Sequence, residues 1–273
     1  MDFTNLEDRG VLITGGAGGI GLALGRLFRD AGARVFLVDR DAERLAASAA
    51  EIEAESAVCD VTDPAAVEAV VDAAWQDWGP FDLLCANAGV VRSAPLLEVS
   101  REEAEWQFAV NVWGVLDCCR AFVRNLMREG RPGHLLLTGS EASLSHPEYV
   151  RPMQVAVYHM TKHAVLSMGD ALRGELAANG IGVSVLCPGS TPTDLSENSE
   201  AARVAHLGGA PTLRAPASSD DDVVVARLRE THEVAEAALA GLRRGLFVIP
   251  THPYIREDVA ARYREIDEAF EGL

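Results

Sequence analysis

Short apolar runs alternate along the chain with longer segments whose apolar residues recur at a helical period. The runs "VLIT", "RVFLVD" and "HLLLTGS" are almost wholly apolar, which is typical of parallel strands covered by helices on both faces. The predicted strands cover residues 11–14, 34–39, 56–60, 82–89, 134–140, 182–189 and 246–250. The predicted helices cover residues 20–31, 42–53, 64–78, 101–129, 157–178 and 231–244.

This alternation predicts an α/β fold, a Rossmann-type doubly wound parallel sheet of about seven strands flanked by helices. A chain of 273 residues suits one such domain, so we assign residues 1–273 to a single dinucleotide-binding and catalytic domain. Residues 190–222 are rich in Ser, Ala, Pro and Gly and are expected to form a mobile substrate loop. Residues 245–273 form a C-terminal strand–helix extension.

Composition excludes several classes of partner. Hydrophobic and charged contents of 48% and 24% are ordinary for a globular protein. A net charge of −17 repels phosphate backbones and anionic lipid, so neither nucleic acid nor membrane is an expected partner. The first ten residues, "MDFTNLEDRG", lack the pattern of a signal peptide, and no apolar run approaches the ~20 residues of a membrane span. We therefore expect a cytoplasmic protein.

The cysteines and histidines do not predict a metal site. The chain has five cysteines, none with metal-ligand spacing, and reduced buried thiols are the simplest interpretation. His159 and His163 are four residues apart on one predicted helix, but no carboxylate or thiol completes a ligand set. No bound metal is expected.

A glycine cluster follows the first strand. The segment "GGAGGIG" runs into a helical segment, and Gly15, Gly19 and Gly21 would allow a tight turn that brings the helix N-terminus against a pyrophosphate. An acidic residue, Asp39, ends the next strand 18 residues after Gly21. Strand, glycine turn, helix and acid together predict a dinucleotide site.

Asp39 and its neighbour bear on which dinucleotide binds. A carboxylate at this position accepts hydrogen bonds from ribose hydroxyls and repels a 2′-phosphate, which favours NAD. Arg40 follows directly and would favour NADP, but Gly18 in the glycine turn supplies no second cation. NAD is the expected cofactor, and NADP is the less favoured alternative.

One lysine occurs among the 24 Lys and Arg residues, Lys162. It follows Tyr158 by four residues, so the two side chains share one face if this segment is helical. A phenol has a reference pKa of about 10, and a nearby ammonium lowers it. Lysine is a compact point charge on a flexible stem, which suits this role better than the planar fork of arginine. The spacing predicts a tyrosine acid/base with its lysine partner.

Four motifs together resemble those of the short-chain dehydrogenase/reductase family in its short cytosolic form. They are "TGGAGGIG" at 14–21, "NAG" at 87–89, "YHMTK" at 158–162 and "PG" at 188–189. The resemblance implies that Tyr158 is the general acid/base and that Lys162 lowers its pKa and holds the nicotinamide ribose. It implies that Ser140 hydrogen-bonds the substrate oxygen and that Asn111 supports a water-mediated proton path behind the lysine.

The resemblance also implies which residues bind the cofactor. Asp60 and Val61 would bracket the adenine, Asn87 would lie beside a ribose, and Thr193 near the carboxamide. The implied cofactor-binding residues are Gly15, Gly19, Ile20, Gly21, Asp39, Arg40, Asp60, Val61, Asn87, Gly89, Tyr158, Lys162, Pro188, Gly189 and Thr193.

Three serines compete for the catalytic position. Ser140 lies 18 residues before Tyr158, where about a dozen is usual in the family that the motifs resemble. Ser143 and Ser145 are therefore alternatives. Ser140 is favoured because it alone directly ends the strand.

Three further segments resemble a bacterial branch that includes NAD-dependent Cα-dehydrogenases of aryl ether alcohols. They are "GRPGHLLLTGS", "KHAVLSMGDALRGELAANGIGVSVLCPG" and "LFVIPTHPYIREDVAARYREI". The predicted activity is hydride transfer between NAD(H) and a secondary alcohol or ketone. The alternatives are an NADPH-dependent carbonyl or 3-oxoacyl reductase, an extended-family epimerase or dehydratase, and a non-catalytic dinucleotide sensor.

The segments expected to contact substrate carry few fixed charges. They contain Val91, Leu96, Leu144, Met153, Leu195 and Leu207, which favours an apolar or aromatic substrate. Helix 101–129 carries more apolar surface than one sheet face can cover, in Trp106, Phe108, Trp113, Leu116 and Phe122. Because members of the resembled family pair such helices across two-fold axes, a homo-oligomer, tetramer or dimer, is expected.

Overall fold

The computed structural model describes residues 2–209 and 228–272. The strands within these ranges are β1 (Gly10–Thr14), β2 (Arg34–Asp39), β3 (Glu55–Val58), β4 (Leu83–Ala86), β5 (Gly133–Thr138), β6 (Ile181–Cys187) and β7 (Val248–Pro250). They form one seven-stranded sheet in the order β3-β2-β1-β4-β5-β6-β7. Every strand pair is parallel. The predicted Rossmann-type single domain is confirmed.

Helices cover both faces of this sheet. They are α1 (Gly19–Asp30), α2 (Ala42–Glu51), α3 (Pro64–Trp78), α4 (Arg101–Phe108), α5 (Val115–Glu129), α6 (Ala156–Leu176), α7 (Leu195–Leu207), α8 (Thr231–Arg243) and α9 (Ile255–Glu268). Short polar side chains begin several of them. Asp41 accepts from the amide of Arg44 at the start of α2, and Asp63 caps α3 ahead of Pro64, because such side chains satisfy amides that have no partner within the helix.

Two predicted segments differ in detail. The predicted helix 101–129 is interrupted between α4 and α5 by a π-helical segment, Ala109–Gly114. The predicted loop 190–222 contains helix α7, and its residues 210–222 lie outside the described residues. Helix α7 was missed because its polar sequence has weak periodicity, whereas its buried face is set by contacts with distant segments.

Neighbouring residues of the central strands point into two cores on opposite faces of the sheet. Leu12 belongs to the core beneath α3, α5 and α6, while its neighbour Ile13 belongs to the core beneath α1, α2 and α8. Both side chains have no exposed surface. Burying a side chain of this size contributes about 1.5–3 kcal/mol, which explains why these strands are apolar on both faces.

The cleft position follows from the strand order. The sheet runs outward from β1 in one direction and from β4 in the other, so the connections leaving these neighbours diverge. All seven carboxyl ends lie at the same edge because the strands are parallel. Ligands of doubly wound sheets bind at this switch point.

The structure also bears on two expectations from the sequence, those of buried thiols and of no membrane span. All five cysteines are free and buried, and burial raises the pKa of Cys59 to about 11 and of Cys119 to about 12. Within residues 2–209 and 228–272 no helix combines the length and the apolar content needed to cross a bilayer.

Candidate active site

A cleft of about 410 Å³ opens at the switch point of the sheet. It collects residues from the ends of β1, β2, β4, β5 and β6 together with helices α6 and α7. The predicted site residues that line it are Gly15, Gly19, Ile20, Asp39, Arg40, Asp60, Val61, Asn87, Gly89, Ser140, Tyr158, Lys162, Pro188, Gly189 and Thr193. Gly21 and Asn111 are not among the lining residues and lie directly behind them.

The glycine turn forms the floor of the cleft. Gly15 has a φ of 68°, a left-handed conformation that only glycine adopts at little cost. A Cβ on Gly21 would lie 2.0 Å from the carbonyl oxygen of Gly15 and 2.7 Å from the Nδ2 of Asn87. Helix α1 begins at Gly19, so its free amides and positive dipole end are available to an anion at the cleft.

The Asp39 carboxylate, at the end of β2, accepts hydrogen bonds from two backbone amides. Its Oδ2 accepts from the amide of Ala17 in the glycine turn at 3.1 Å, and its Oδ1 accepts from the amide of Asp41 at 3.1 Å. The carboxylate is thereby fixed at the cleft wall. The guanidinium of Arg40 lies 3.8 Å from the carboxylate of Asp60.

A second cation near this point was missed by the sequence analysis. Arg44 lines the cleft, and its Nη2 lies 2.9 Å from the position of a Cβ on Gly18. Its guanidinium donates to Asn198 and, at 2.9 Å, to Asp194 at the start of α7. Arg44 therefore links α2 to α7 across the cleft mouth. The only local signal for it was its position in the first turn of a helix that follows Asp39.

Asn87 joins three strand ends at the bottom of the cleft. Its amide nitrogen donates to the carbonyl oxygen of Thr14 at 3.2 Å, and its Oδ1 accepts from the hydroxyl of Thr138 at 3.2 Å. The hydroxyl of Thr14 in turn accepts from the backbone amide of Asn87 at 3.0 Å. The two threonines ending β1 and β5 thus orient this side chain, and the sequence analysis assigned neither of them a role.

Lys162 lies on α6 at the inner end of the cleft. Its side chain is buried, with 3% of the residue exposed, and its Nζ donates to the carbonyl oxygen of Thr138 at 2.8 Å. Burial lowers the pKa of this ammonium to about 8. A lysine with a depressed pKa in a cleft is typical of a functional site.

Asn111 stands behind the lysine in the π-helical segment. Its Nδ2 donates to the carbonyl oxygen of Val90 at 2.8 Å and to the hydroxyl of Thr161 at 3.0 Å, and its Oδ1 accepts from the amide of Val90 at 2.8 Å. A Cβ on Gly89 would lie 3.4 Å from that Oδ1 and 3.5 Å from the Nζ of Lys162. Local π-helical geometry is frequent at functional sites, and here it turns Asn111 toward the turn after β4.

Tyr158 and Ser140 face each other across the cleft. Burial raises the pKa of Tyr158 to about 12; a hydrogen bond from Ser140 opposes this shift, and the nearby carboxylate of Glu141 adds to it. The Nζ of Lys162 lies 5.5 Å from the ring centroid of Tyr158. The expected lowering of the tyrosine pKa is therefore not seen in this structure, in which desolvation of the phenolate is the largest influence on the pKa.

The three competing serines have different surroundings. Ser140 lies two residues after the end of β5 and lines the cleft. Ser143 donates to the carbonyl oxygen of Lys162 at 2.7 Å and accepts from the amide of Ser140 at 3.1 Å, so its hydroxyl supports the backbone. The hydroxyl of Ser145 is buried and has no hydrogen-bond partner among the described residues. The geometry favours Ser140 as the serine nearest the cleft.

The remaining predicted positions lie near the entrance and on α6. Thr193 faces the glycine turn, since its Cγ2 lies 3.3 Å from the position of a Cβ on Gly19. The Nδ1 of His163 contacts the carbonyl oxygen of His159 at 3.0 Å. In the part of the chain that the structure describes, no group of three or more potential ligands could hold a metal ion.

Comparison with known proteins identifies the family. The family profile described as short chain dehydrogenase matches residues 9–204. A 1-deoxy-11-beta-hydroxypentalenate dehydrogenase from Streptomyces exfoliatus is 39% identical over 206 residues, which are 73% of this chain and 73% of that protein.

Solved structures agree over nearly the whole chain. A short chain dehydrogenase/reductase from Burkholderia phymatum in complex with NAD has a TM-score of 0.85 and 28% identity, covering 97% of this chain and 96% of that chain. A short-chain dehydrogenase from Sphingobium yanoikuyae in complex with NADPH has a TM-score of 0.72 and 26% identity, covering 97% and 94%. With the cleft and its motifs in the expected positions, this chain belongs to the short-chain dehydrogenase/reductase family.

Proposed function

We propose that this enzyme is an NAD(H)-dependent dehydrogenase that interconverts a secondary alcohol and its ketone, with Tyr158 as the general acid/base. The observation that carries this proposal is the convergence of Tyr158, Ser140 and Lys162 on one cleft whose floor is a glycine turn. A dinucleotide sensor would need the turn but not a tyrosine, serine and lysine directed into the same space.

The residues of the cleft fit a dinucleotide. The close approach of Gly21 to Gly15 leaves the turn open for a pyrophosphate at the start of α1. Asp39 would accept from the adenosine ribose, and Lys162 would hold the nicotinamide ribose. When bound, the nicotinamide supplies or accepts the hydride.

Proton transfer is the task of the chain's own residues. During alcohol oxidation Ser140 holds the substrate oxygen by a hydrogen bond while Tyr158 takes the hydroxyl proton. In the reverse direction a tyrosine with a pKa of about 12 is protonated at neutral pH and donates to the carbonyl oxygen. Asn111, hydrogen-bonded behind Lys162, would support the path by which the proton reaches solvent.

The choice between NAD and NADP depends on opposing charges. Asp39 is fixed at the cleft wall by two backbone amides and disfavours a 2′-phosphate. Arg40 and Arg44 lie close enough to the same corner to favour it, which keeps an NADPH-dependent carbonyl reductase as the second candidate. The two arginines already contact Asp60 and Asp194, and this pairing supports NAD as the cofactor.

An apolar or aromatic alcohol is the proposed substrate. Val90 and Leu195 line the cleft, and Arg92, the nearest charge after the turn of β4, is engaged with Glu103 at 3.1 Å and Glu200 at 3.2 Å. A relative named as the dehydrogenase of a hydroxylated compound supports alcohol oxidation. Helix α7, the described part of the predicted substrate loop 190–222, contributes residues to the lining of this region.

NADH formation from a panel of secondary alcohols tests the proposal. When the wild type is mixed with NAD and an aryl or alkyl secondary alcohol, we expect the absorbance of NADH to rise. The Tyr158→Phe variant should show no such rise, although it should still bind NADH. A protein that binds NADH but converts no alcohol or ketone in either direction would exclude the proposed activity and favour the sensor.

We also propose a cytoplasmic homo-oligomer, dimer or tetramer. Trp106 and Phe122 are buried in the core, so they do not contribute to a contact surface as the sequence analysis expected. Trp113 is 57% exposed in the π-helical segment and Met160 is 49% exposed on α6, which supports pairing through these helices. Light scattering at micromolar concentration that returned about the 29.2 kDa of one chain would exclude it.

A further inference from the structure

A buried carboxylate lies directly after the serine of the site. Glu141 is 6% exposed, and its Oε2 accepts from the hydroxyl of Tyr254 at 2.9 Å. Its Oε1 accepts from the hydroxyl of Tyr149, and the two phenolic oxygens lie 3.2 Å apart. These three residues, the Glu141 cluster, come from the end of β5, the segment before α6 and the C-terminal extension.

The Glu141 cluster holds the turn that follows β6. The amide of Glu141 donates to the carbonyl oxygen of Pro188 at 2.7 Å, and the amide of Ser190 donates to the hydroxyl of Tyr254 at 3.4 Å. A Cβ on Gly189 would lie 2.5 Å from that hydroxyl and 2.7 Å from the Oε2 of Glu141. The cluster therefore packs against the back of a residue whose front lines the cleft.

A histidine of the C-terminal extension makes a second connection to the same turn. The Nδ1 of His252 accepts from the amide of Gly189 at 3.0 Å, and its Nε2 donates to the carbonyl oxygen of Ser190 at 3.1 Å. Burial above all lowers the pKa of this ring, which agrees with the neutral tautomer that these partners require. Residues 251–254 and 188–190 thus form one hydrogen-bonded unit around Glu141.

Both carboxylate oxygens of Glu141 are needed to attach the C-terminal extension. A buried carboxylate is costly to desolvate unless it is hydrogen-bonded, and here each oxygen accepts from one tyrosine hydroxyl. A glutamine at this position offers only one acceptor oxygen, so it cannot accept from both hydroxyls through two separate oxygens. The same carboxylate also disfavours the phenolate of Tyr158, in addition to the larger effect of burial.

We propose that Glu141 is a positioning residue for the dehydrogenase reaction, holding the Pro188–Ser190 turn and residues 251–254 against the end of β5, beside Ser140. This inference rests on the proposed function for its catalytic consequence. Its structural part, the attachment of residues 188–190 through Glu141 and Tyr254, is independent of turnover.

The groups around Tyr158 determine the expected pH effect. They are Ser140 from the end of β5, Glu141 after it, Cys187 from β6 and Lys162 from α6. Burial raises the pKa of Tyr158 most; the hydrogen bond from Ser140 lowers it, and Glu141 and Cys187 raise it further. Replacing Glu141 by glutamine removes a negative charge, so the phenolate becomes easier to form and the pKa of Tyr158 falls.

Two variants and two matched controls test the proposal. Glu141→Gln removes the charge and keeps the size, and Tyr254→Phe removes one hydroxyl and keeps the ring. Glu148→Gln and Tyr263→Phe are the controls, because the Glu148 side chain is 85% exposed and Tyr263 is 63% exposed. Each protein is examined by hydrogen exchange of the Gly189 and Ser190 amides, by kcat and KM, and by the pH profile of alcohol oxidation.

The expected results distinguish the positioning role of Glu141 from the effect of its negative charge on Tyr158. Both test variants should speed exchange of the Gly189 and Ser190 amides and lower kcat by about tenfold with little change in KM, the size expected for a lost charged hydrogen bond. Only Glu141→Gln should also move the acidic limb of the profile to lower pH. The two controls should match the wild type in all three readouts.

The outcomes that would overturn the proposal are distinct from failure of the proposed function. Unchanged exchange of the Gly189 and Ser190 amides in both variants would disprove the attachment. An unshifted profile in Glu141→Gln would disprove the role of the charge. A wild type that oxidised no alcohol would disprove the dehydrogenase activity and with it the positioning role in that reaction, while the exchange data would still decide the attachment.

Discussion

The Nζ of Lys162 donates a hydrogen bond to the carbonyl oxygen of Thr138 at 2.8 Å, so the chain's single lysine is bound to the strand that leads to Ser140. A helix and a strand of the site are thereby joined through the ammonium itself. The same ammonium is buried and lies 5.5 Å from the centroid of the Tyr158 ring. Because the space around it is limited, a cationic group of another shape should not occupy the same position.

Replacing Lys162 by arginine tests this expectation. We expect Lys162→Arg to lower kcat by about a hundredfold or more, the range of a lost general acid/base contribution. The guanidinium keeps the charge but is too broad to occupy the space beside Thr138 and a ribose. Steady-state turnover is the measurement, with Arg173→Lys on the exposed side of α6 as the control. Near-normal turnover of Lys162→Arg would show that any cation suffices.

Asp39 should control the choice of cofactor. The wild type is expected to use NAD over NADP by orders of magnitude in kcat/KM, because a fixed carboxylate repels a 2′-phosphate. Asp39→Ser should narrow this gap, chiefly through the KM for NADP, and Arg44→Ala added to it should widen the gap again. Equal use of both cofactors by the wild type would show that the arginines outweigh Asp39.

The glycine turn allows a paired test of a tight contact. A Cβ on Gly21 would lie 2.0 Å from a backbone oxygen, so Gly21→Ala should destabilise the fold by about 1–3 kcal/mol and weaken NADH binding at least tenfold. Gly174 lies exposed in α6 with nothing within 4 Å of its Cβ position, so Gly174→Ala should stabilise by about 1 kcal/mol. Urea unfolding and NADH fluorescence titration measure both effects. Normal binding by Gly21→Ala would contradict the close packing of the turn.

A buried histidine should make stability fall in acid. His134 is 8% exposed and contacts the hydroxyl of Ser184 at 2.9 Å, and burial lowers its pKa from 6.5 to about 4. Below pH 6.5 the unfolded chain gains a proton there that the folded chain does not take up until about pH 4. The stabilisation is therefore complete above pH 6.5 and is lost as the pH falls toward 4.

The contribution of His134 to this pH dependence can be measured by comparing the wild type with a variant that lacks the imidazole ring. Between pH 7.5 and pH 5 the wild type should lose about 2 kcal/mol more unfolding free energy than His134→Asn. Exposed His206 provides the control, and His206→Asn should follow the wild type. Urea unfolding at the two pH values is the measurement, and parallel losses in wild type and His134→Asn would show that this ring does not govern the acid dependence.

Much of the fold could be predicted from the chain alone because its signals are local. Apolar runs such as "VLIT" cover both faces of a parallel strand, and the alternation with helical segments then leaves few possible topologies. The glycine turn and the spacing of Tyr158 and Lys162 are equally local, since backbone sterics and helix geometry act over a few residues. These features sufficed to locate the cleft and most of its lining.

Other features depended on contacts between residues far apart in the chain. Arg44 donates a hydrogen bond to Asp194, 150 residues away in the chain, and Glu141 accepts one from Tyr254, 113 residues away. No sequence pattern in these segments indicates the partner. The pKa of Tyr158 rose where the spacing alone predicted a fall, because burial is a property of the packed molecule and not of the i, i+4 pair. Local sterics and periodicity therefore determined the elements and the motif positions, whereas only the packed molecule decided which charges meet and how far each is removed from water.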